Sequence, residues 1–147
     1  MIKADVAVIG AGPGGSVAAQ RLAEKGLKIV LLEWKKVPWV KTCGDLVTRE
    51  GLKALEHGGL NEWADQFSPV KKLRFTSPDE QVLDVPLIGE PIARIIPRRQ
   101  LDERLVQSAV AAGVELFDDT RVRSVKINNS DASVSADGVS VKAQMVI

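Results

Sequence analysis

Gly10, Gly12 and Gly15 stand in a Gly-x-Gly-x-x-Gly run, and Glu33 follows about 18 residues after the last of them. Each residue type has a physical use at that spacing. The first glycine permits a tight turn, the second lets a pyrophosphate approach the backbone, and the third allows a helix and a strand to pack closely. Pro13 and Gly14 sit inside the same turn, where a helix would begin, and the free N–H groups and dipole of a helix start favour an anion. Glu33 offers two acceptor oxygens to ribose hydroxyls and disfavours a 2′-phosphate at the same place. The chemistry implied is recognition of an adenine dinucleotide without that phosphate.

The motif has this meaning only between a strand and a helix. Asp5 to Ile9 is a short apolar run that stops at glycine, as expected of a strand buried on both faces. Residues 14–25 place Ala18, Ala19, Leu22 and Ala23 on one side and run into Gly26, a helix stop. Leu27 to Glu33 reads as a second buried strand, so the segment is a βαβ unit with a right-handed crossover. Pro38 and the Cys43-Gly44 pair fall in a loop, and a helix runs from Thr48, its cap, to about His57. Lys71 to Thr76, Gln81 to Val85 and Ile92 to Ile96 read as strands of an antiparallel excursion. A further helix covers about Arg98 to Ala112, with Leu101, Leu105, Val106, Ala109 and Val110 at helical spacing and Gly113 at its end. Val114 to Phe117 is a third parallel strand. Val122 to Ile127, Ala132 to Ala136 and Val139 to Ala143 form a meander with a turn at Asp137-Gly138.

The fold class expected is α/β: a Rossmann-like dinucleotide-binding domain with a parallel sheet, a β-meander and part of an antiparallel substrate-domain sheet. Residues 1–65 are read as its first part, 66–97 as the partial substrate domain and 98–147 as its continuation. Gln144 to Ile147 resembles the start of another buried strand, so truncation inside an element is expected.

Composition narrows the partners. Twenty Lys and Arg against nineteen Asp and Glu give a formal charge of +1 without a long like-charge block, which does not fit a nucleic-acid-binding surface. Cys43 is the single cysteine, so no internal disulfide or multi-cysteine metal site is expected, and a cytoplasmic location is the simplest reading. His57 has no second histidine or serine nucleophile organised around it and reads as a surface residue at a helix end.

The run from Asp5 to Ala19 resembles the opening of the FAD-dependent monooxygenase and geranylgeranyl reductase superfamily. Lys41-Thr42-Cys43-Gly44-Asp45 is similar to the Lys-x-Cys-Gly-Asp segment of geranylgeranyl reductase-like proteins, and Ser77-Pro78-Asp79 to their Ser-Pro-Asp-Gly turn. Arg98-Arg99-Gln100-Leu101-Asp102 resembles the superfamily's Arg-x-x-Phe-Asp helix, with Leu101 in place of phenylalanine. The resemblance spans essentially the whole chain. It implies an FAD-dependent oxidoreductase that reduces isoprenoid carbon–carbon double bonds through reduced flavin, with NAD(P)H or another reductant as electron donor. The implied substrate is a prenylated lipid, quinone or pigment precursor, reached through peripheral contact with a membrane. It further implies that Arg98 lies by the FAD, that Val122 approaches the adenine through its backbone, and that Cys43 and Gly44 lie near the isoalloxazine. A flavin monooxygenase or halogenase is the rival reading, and a truncated, non-catalytic nucleotide-binding module is a third. From residue type alone, Cys43 reads as an inert small hydrophobe, with a redox or acid role as the alternative, Arg98 as a solvated charge, and Trp34, Trp39 and Trp63 as packing bulk, with cavity lining as the alternative.

Overall fold

The computed structural model describes residues 1–88 and 93–147. The start of the expected Ile92 to Ile96 strand, Ile92 itself, lies outside the described residues. In chain order the elements are β1 (Ile2–Ile9), α1 (Pro13–Ala23), β2 (Ile29–Leu32), β3 (Leu46–Thr48), α2 (Arg49–His57), α3 (Asn61–Asp65), β4 (Lys72–Thr76), β5 (Val82–Pro86), β6 (Ala93–Ile95), α4 (Arg98–Ala111), β7 (Glu115–Phe117), β8 (Val122–Ile127), β9 (Ala132–Ala136) and β10 (Val139–Val146).

The chain divides into two compact units, Met1–Lys41 with Arg99–Ile147, and Thr42–Arg98. Residues 42–65, grouped with the first segment from sequence, therefore fall in the second unit. The first unit is Rossmann-like. Its six-stranded sheet has the order β7-β2-β1-β10-β9-β8, with β7, β2, β1 and β10 parallel and β10, β9 and β8 antiparallel. β10 is where the two patterns join. Val139 to Ala143 pair antiparallel with Ala136 to Ala132, while Val141 to Val146 pair parallel with Ile2 to Ala7. Gln144 to Val146 thus continue the last meander strand, where sequence pointed to the start of a separate one. Asp137-Gly138 turns β9 into β10 with Gly138 at φ 73°, a conformation that glycine adopts without a Cβ clash.

Alternation along the central strands buries both faces. Val6, Val8, Ile29 and Leu31 pack on one side with Ala19 of α1 and with Val106 and Ala109 of α4. Ala7, Val30 and Leu32 pack on the other with Val134, Val141 and Ala143 of the meander. All four residues of β2 are buried, as its unbroken apolar sequence requires. The helix stops also behave as their residues dictate. Gly26 at φ 83° and Gly113 at φ 98° take the left-handed conformation, with their N–H groups donating to Ala23 and Val110.

The second unit pairs β3 with β6 and β4 with β5, both antiparallel. β3 and α3 are elements that sequence did not indicate. Thr48 stands at the N-cap of α2, but its side chain makes no capping hydrogen bond. In β4 and β5 the register sets Leu73 opposite Val85 and Phe75 opposite Leu83, with Arg74 opposite Asp84 on the other face. The charged face is bound together by Arg74 and Lys72, both paired with Asp84 at 2.7 and 2.8 Å. Those cations hold the Asp84 carboxyl below its ordinary range, chiefly through the Arg74 hydrogen bond.

A Cβ on Gly15 would overlap the carbonyl oxygen of Gly10, whereas one on Gly14 would meet nothing within 4 Å. Gly15→Ala is therefore expected to cost about 1–3 kcal/mol of stability or more through overpacking against backbone, with Gly14→Ala close to neutral. Urea unfolding of the two variants checks this, and equal stabilities would contradict the close approach of α1 to β1.

Candidate dinucleotide-binding site

The glycine turn connects β1 to α1, and its geometry follows from three constraints. Gly10 has φ 101°, which a side chain would strain, and its N–H donates to the Leu32 carbonyl at 2.7 Å. Gly12 is the N-cap of α1 and Pro13 its first residue, where the ring is already preset for a helix and a missing N–H costs nothing. Ser16 is fully buried and its hydroxyl donates to the Ala11 carbonyl at 2.9 Å, tying the turn to the first helical turn. A Cβ on Gly12 would enter open space, so backbone at the head of α1 can be reached from outside. The first turn of a helix leaves its N–H groups without intrahelical partners, which makes this an anion-binding surface.

Glu33 follows β2 and is only 5% exposed. Its Oε2 accepts the Ala11 N–H at 2.8 Å and its Oε1 accepts the Lys35 N–H at 3.0 Å. Both carboxylate oxygens therefore hold backbone, one of them the glycine turn itself. Each oxygen keeps a second lone pair for a ribose hydroxyl.

A groove of about 210 Å³ lies beside these residues, lined by Ile9, Gly10, Leu32, Trp34, Thr120, Arg121 and Val122. Val122 thus shares a groove with Gly10 of the glycine turn. Thr120 and Arg121 line this groove without having been singled out from sequence, and Trp34 lines it in keeping with the alternative reading of that residue. The available signal was their adjacency: Trp34 follows Glu33, and Arg121 precedes Val122. Trp34 is 57% exposed and is not packing bulk, while Trp39 packs against the core and Trp63 meets Phe67 edge to face.

Cys43, Gly44 and Arg98 belong to the second unit or its boundary. Cys43 is an exposed free thiol. The Asp45 N–H donates to Cys43 Sγ at 3.4 Å, and Asp45 Oδ1 accepts the Arg98 N–H at 3.0 Å. The Ile96 N–H also donates to the Asp45 carbonyl at 2.8 Å. Asp45, with φ 58°, therefore links the Cys43-Gly44 loop to Ile96 and Arg98 within the second unit. Among the described residues no three His, Cys, Asp or Glu side chains gather as a metal site. No described helix is long and apolar enough to cross a membrane.

A parallel sheet with a glycine turn at a helix start, and an acid closing the next strand against that turn, defines a Rossmann-like dinucleotide-binding domain. Residues 3–145 match the FAD binding domain family, and the chain belongs to it. It is 32% identical over 152 residues to the menaquinone reductase of Mycolicibacterium smegmatis, covering 99% of this chain and 37% of that protein. It is also 32% identical over 141 residues to digeranylgeranylglycerophospholipid reductase 1 of Methanosphaera stadtmanae, covering 95% of this chain and 34% of that protein. Among solved structures, a myxobacterial chondrochloren halogenase superposes with a TM-score of 0.84 at 19% identity, over 99% of this chain and 37% of that one. The chain thus spans little more than a third of the length of these relatives.

Replacing Glu33 by Gln leaves one acceptor where two backbone N–H groups converge and turns an amide NH₂ toward one of them. Glu33→Gln is expected to lose about 1–3 kcal/mol of stability in the absence of any ligand. Chemical denaturation measures it, and an unchanged midpoint would show that the carboxylate does not hold the turn.

Proposed function

We propose that this chain is the cofactor-binding part of an FAD-dependent reductase acting on isoprenoid carbon–carbon double bonds. In this reading the pyrophosphate lies over Gly12, Pro13, Gly14 and Gly15, and the ribose of the adenosine meets Glu33. Val122 borders the adenine, and Arg98, Cys43 and Gly44 face the flavin. The observation that supports the cofactor most directly is the Glu33 carboxylate bound to the Ala11 N–H, because it fixes acid and phosphate turn as one surface. When bound, the flavin supplies the two-electron reduction, and the protein binds, orients and shields the reactants.

The isoprenoid class is supported by the names of the two reductases and by the hairpin of β4 and β5. Its apolar face, Leu73, Phe75, Leu83 and Val85, leaves Phe75 56% and Leu83 61% exposed. Such a face suits contact with an apolar chain. A groove of about 430 Å³ opens beside it, with Leu46, Leu73, Leu87 and Ala93 among its lining residues. A prenylated lipid or quinone would be met at a membrane surface from the cytoplasm, with NAD(P)H or another reductant as donor. A monooxygenase or halogenase differs in consuming oxygen.

Gly12→Val is expected to fold, since its side chain enters open space, and to lose FAD, because that space is where the pyrophosphate would lie. Circular dichroism and flavin absorbance after reconstitution measure the two properties. Stoichiometric FAD in the folded variant, or wild-type preference for NAD, overturns the assignment. For the reaction class, the intact protein with FAD, a reductant and a geranylgeranyl lipid should give products heavier by two hydrogens per reduced bond. Oxygen uptake matched to substrate consumption would sink the reductase reading.

A further inference from the structure

Two grooves of the second unit meet at one residue. The apolar groove of about 430 Å³ has Leu46, Leu73, Leu87 and Ala93 among its walls, and a second, polar groove of about 640 Å³ has Arg49, Lys53, Glu56, Asp65 and Arg94 among its own. Both lie within the roughly 300–1,000 Å³ of sites that take small ligands. Ala93 and Arg94 are consecutive in β6 and so face opposite sides of the β3–β6 ladder, one toward each groove. Arg49, where β3 gives way to α2, lines both. The charges of the polar groove do not cancel. Arg94 is engaged within the protein, donating to the Asp65 and Phe67 carbonyls at 3.1 and 2.6 Å and pairing with the Asp65 carboxylate at 2.7 Å. Arg49 and Lys53 lie four residues apart on one face of α2, and among the described residues neither makes an ion pair. Glu56 is the one remaining carboxylate among the residues that line this groove. Glu50 lines the apolar groove instead, and its own N–H together with Thr48 holds its carboxyl below the ordinary range, so it stays charged and turns an anion away from that side.

We propose that the two grooves form one amphiphile site, in which the apolar groove holds a prenyl chain and Arg49 and Lys53 hold a phosphate at its head, so that the protein selects an anionic prenyl lipid over a neutral prenyl alcohol or quinone. The inference rests on the isoprenoid reading above and adds the headgroup that goes with it. A neutral headgroup lying over Arg49 and Lys53 would strip water from two cations and return no charge. A phosphate returns charge-assisted hydrogen bonds, to the guanidinium through its planar fork and to the ammonium as a point charge. Because Arg49 borders both grooves, the phosphate it holds lies where the apolar groove ends, which is where an esterified prenyl chain carries it. Arg94, already satisfied by Asp65 and Phe67, is a wall of the site and not a ligand.

The test is calorimetric titration of the full chain with farnesyl monophosphate, farnesol and inorganic phosphate, each below its micelle concentration where it has one, in the wild type, Arg49→Gln, Lys53→Gln and the double variant. The wild type should bind farnesyl monophosphate at least about tenfold more tightly than farnesol, the effect of one charge-assisted hydrogen bond, and that advantage should shrink as salt rises. The double variant should bring farnesyl monophosphate down to the affinity of farnesol with farnesol itself unchanged, each single variant falling between. Inorganic phosphate bound as tightly as the farnesyl ester would mean a free-phosphate site and overturns the joined one. Farnesol bound as tightly as its phosphate, or an advantage that survives in the double variant, overturns the headgroup site while leaving the isoprenoid reading intact. Equal loss of farnesol in the double variant overturns it as well, because the effect would then be one on the fold. Wild-type protein that binds neither farnesol nor farnesyl monophosphate overturns both.

Discussion

The hydrogen bond from the Ala11 N–H to Glu33 is the constraint on which the site depends. It joins two turns that follow adjacent parallel strands, β1 and β2, and these are separated by the whole of α1 in sequence. A carboxylate only 5% exposed is costly unless its oxygens are satisfied, and here two backbone N–H groups satisfy them. The same bond limits how the glycine turn can move. An anion-binding turn whose N–H groups are already aimed loses less entropy on binding than a mobile one. The charge at Glu33 thus serves folding first, and its remaining lone pairs are what a ribose would use.

Such a turn needs a rigid frame, and β10 supplies part of it. Because β10 pairs parallel with β1 and antiparallel with β9, the meander cannot shift register without shifting the central sheet. Val141 and Ala143 are in the ladder with β1 and also in the cluster that covers Ala7, Val30 and Leu32. Thr120, Arg121 and Val122, at the entry to β8, are therefore placed by the sheet and not by the loop alone. The Thr120 N–H bond to the Glu33 carbonyl closes the frame from the other end of the sequence.

Much of this was legible because its causes are local. The glycines, the apolar runs of β1 and β2 and the glycine stops at positions 26 and 113 each state their conformation through residue type. β3 was not legible, since Leu46-Val47-Thr48 is three residues long and is a strand only because Ile95, Arg94 and Ala93 lie opposite it. The placement of residues 42–65 in the second unit depends on that same long-range pairing. Which of the two readings of Trp34 holds was not legible for a related reason. An indole buries more area than other side chains, so packing is its expected role, and only the Thr120 to Val122 segment, distant in sequence, reveals that it borders a groove. The role of Asp45 as the joint between residues 43 and 98 was equally hidden, because its partners are set by the β3–β6 ladder.

The glycines of the turn show why composition alone cannot separate folding from binding. Gly10 is required by its backbone angle and Gly15 by the carbonyl of Gly10, and neither requirement involves a ligand. Gly12 and Gly14 have no such requirement, for a Cβ on either would meet nothing within the protein. A side chain at Gly12 would meet no backbone strain, since its φ of −65° suits any residue. Glycine at a position where the fold has room for a side chain points to something outside the fold that uses the space. At the head of a helix, beside a carboxylate anchored to the same turn, the chemistry that uses it best is a phosphate approaching the backbone.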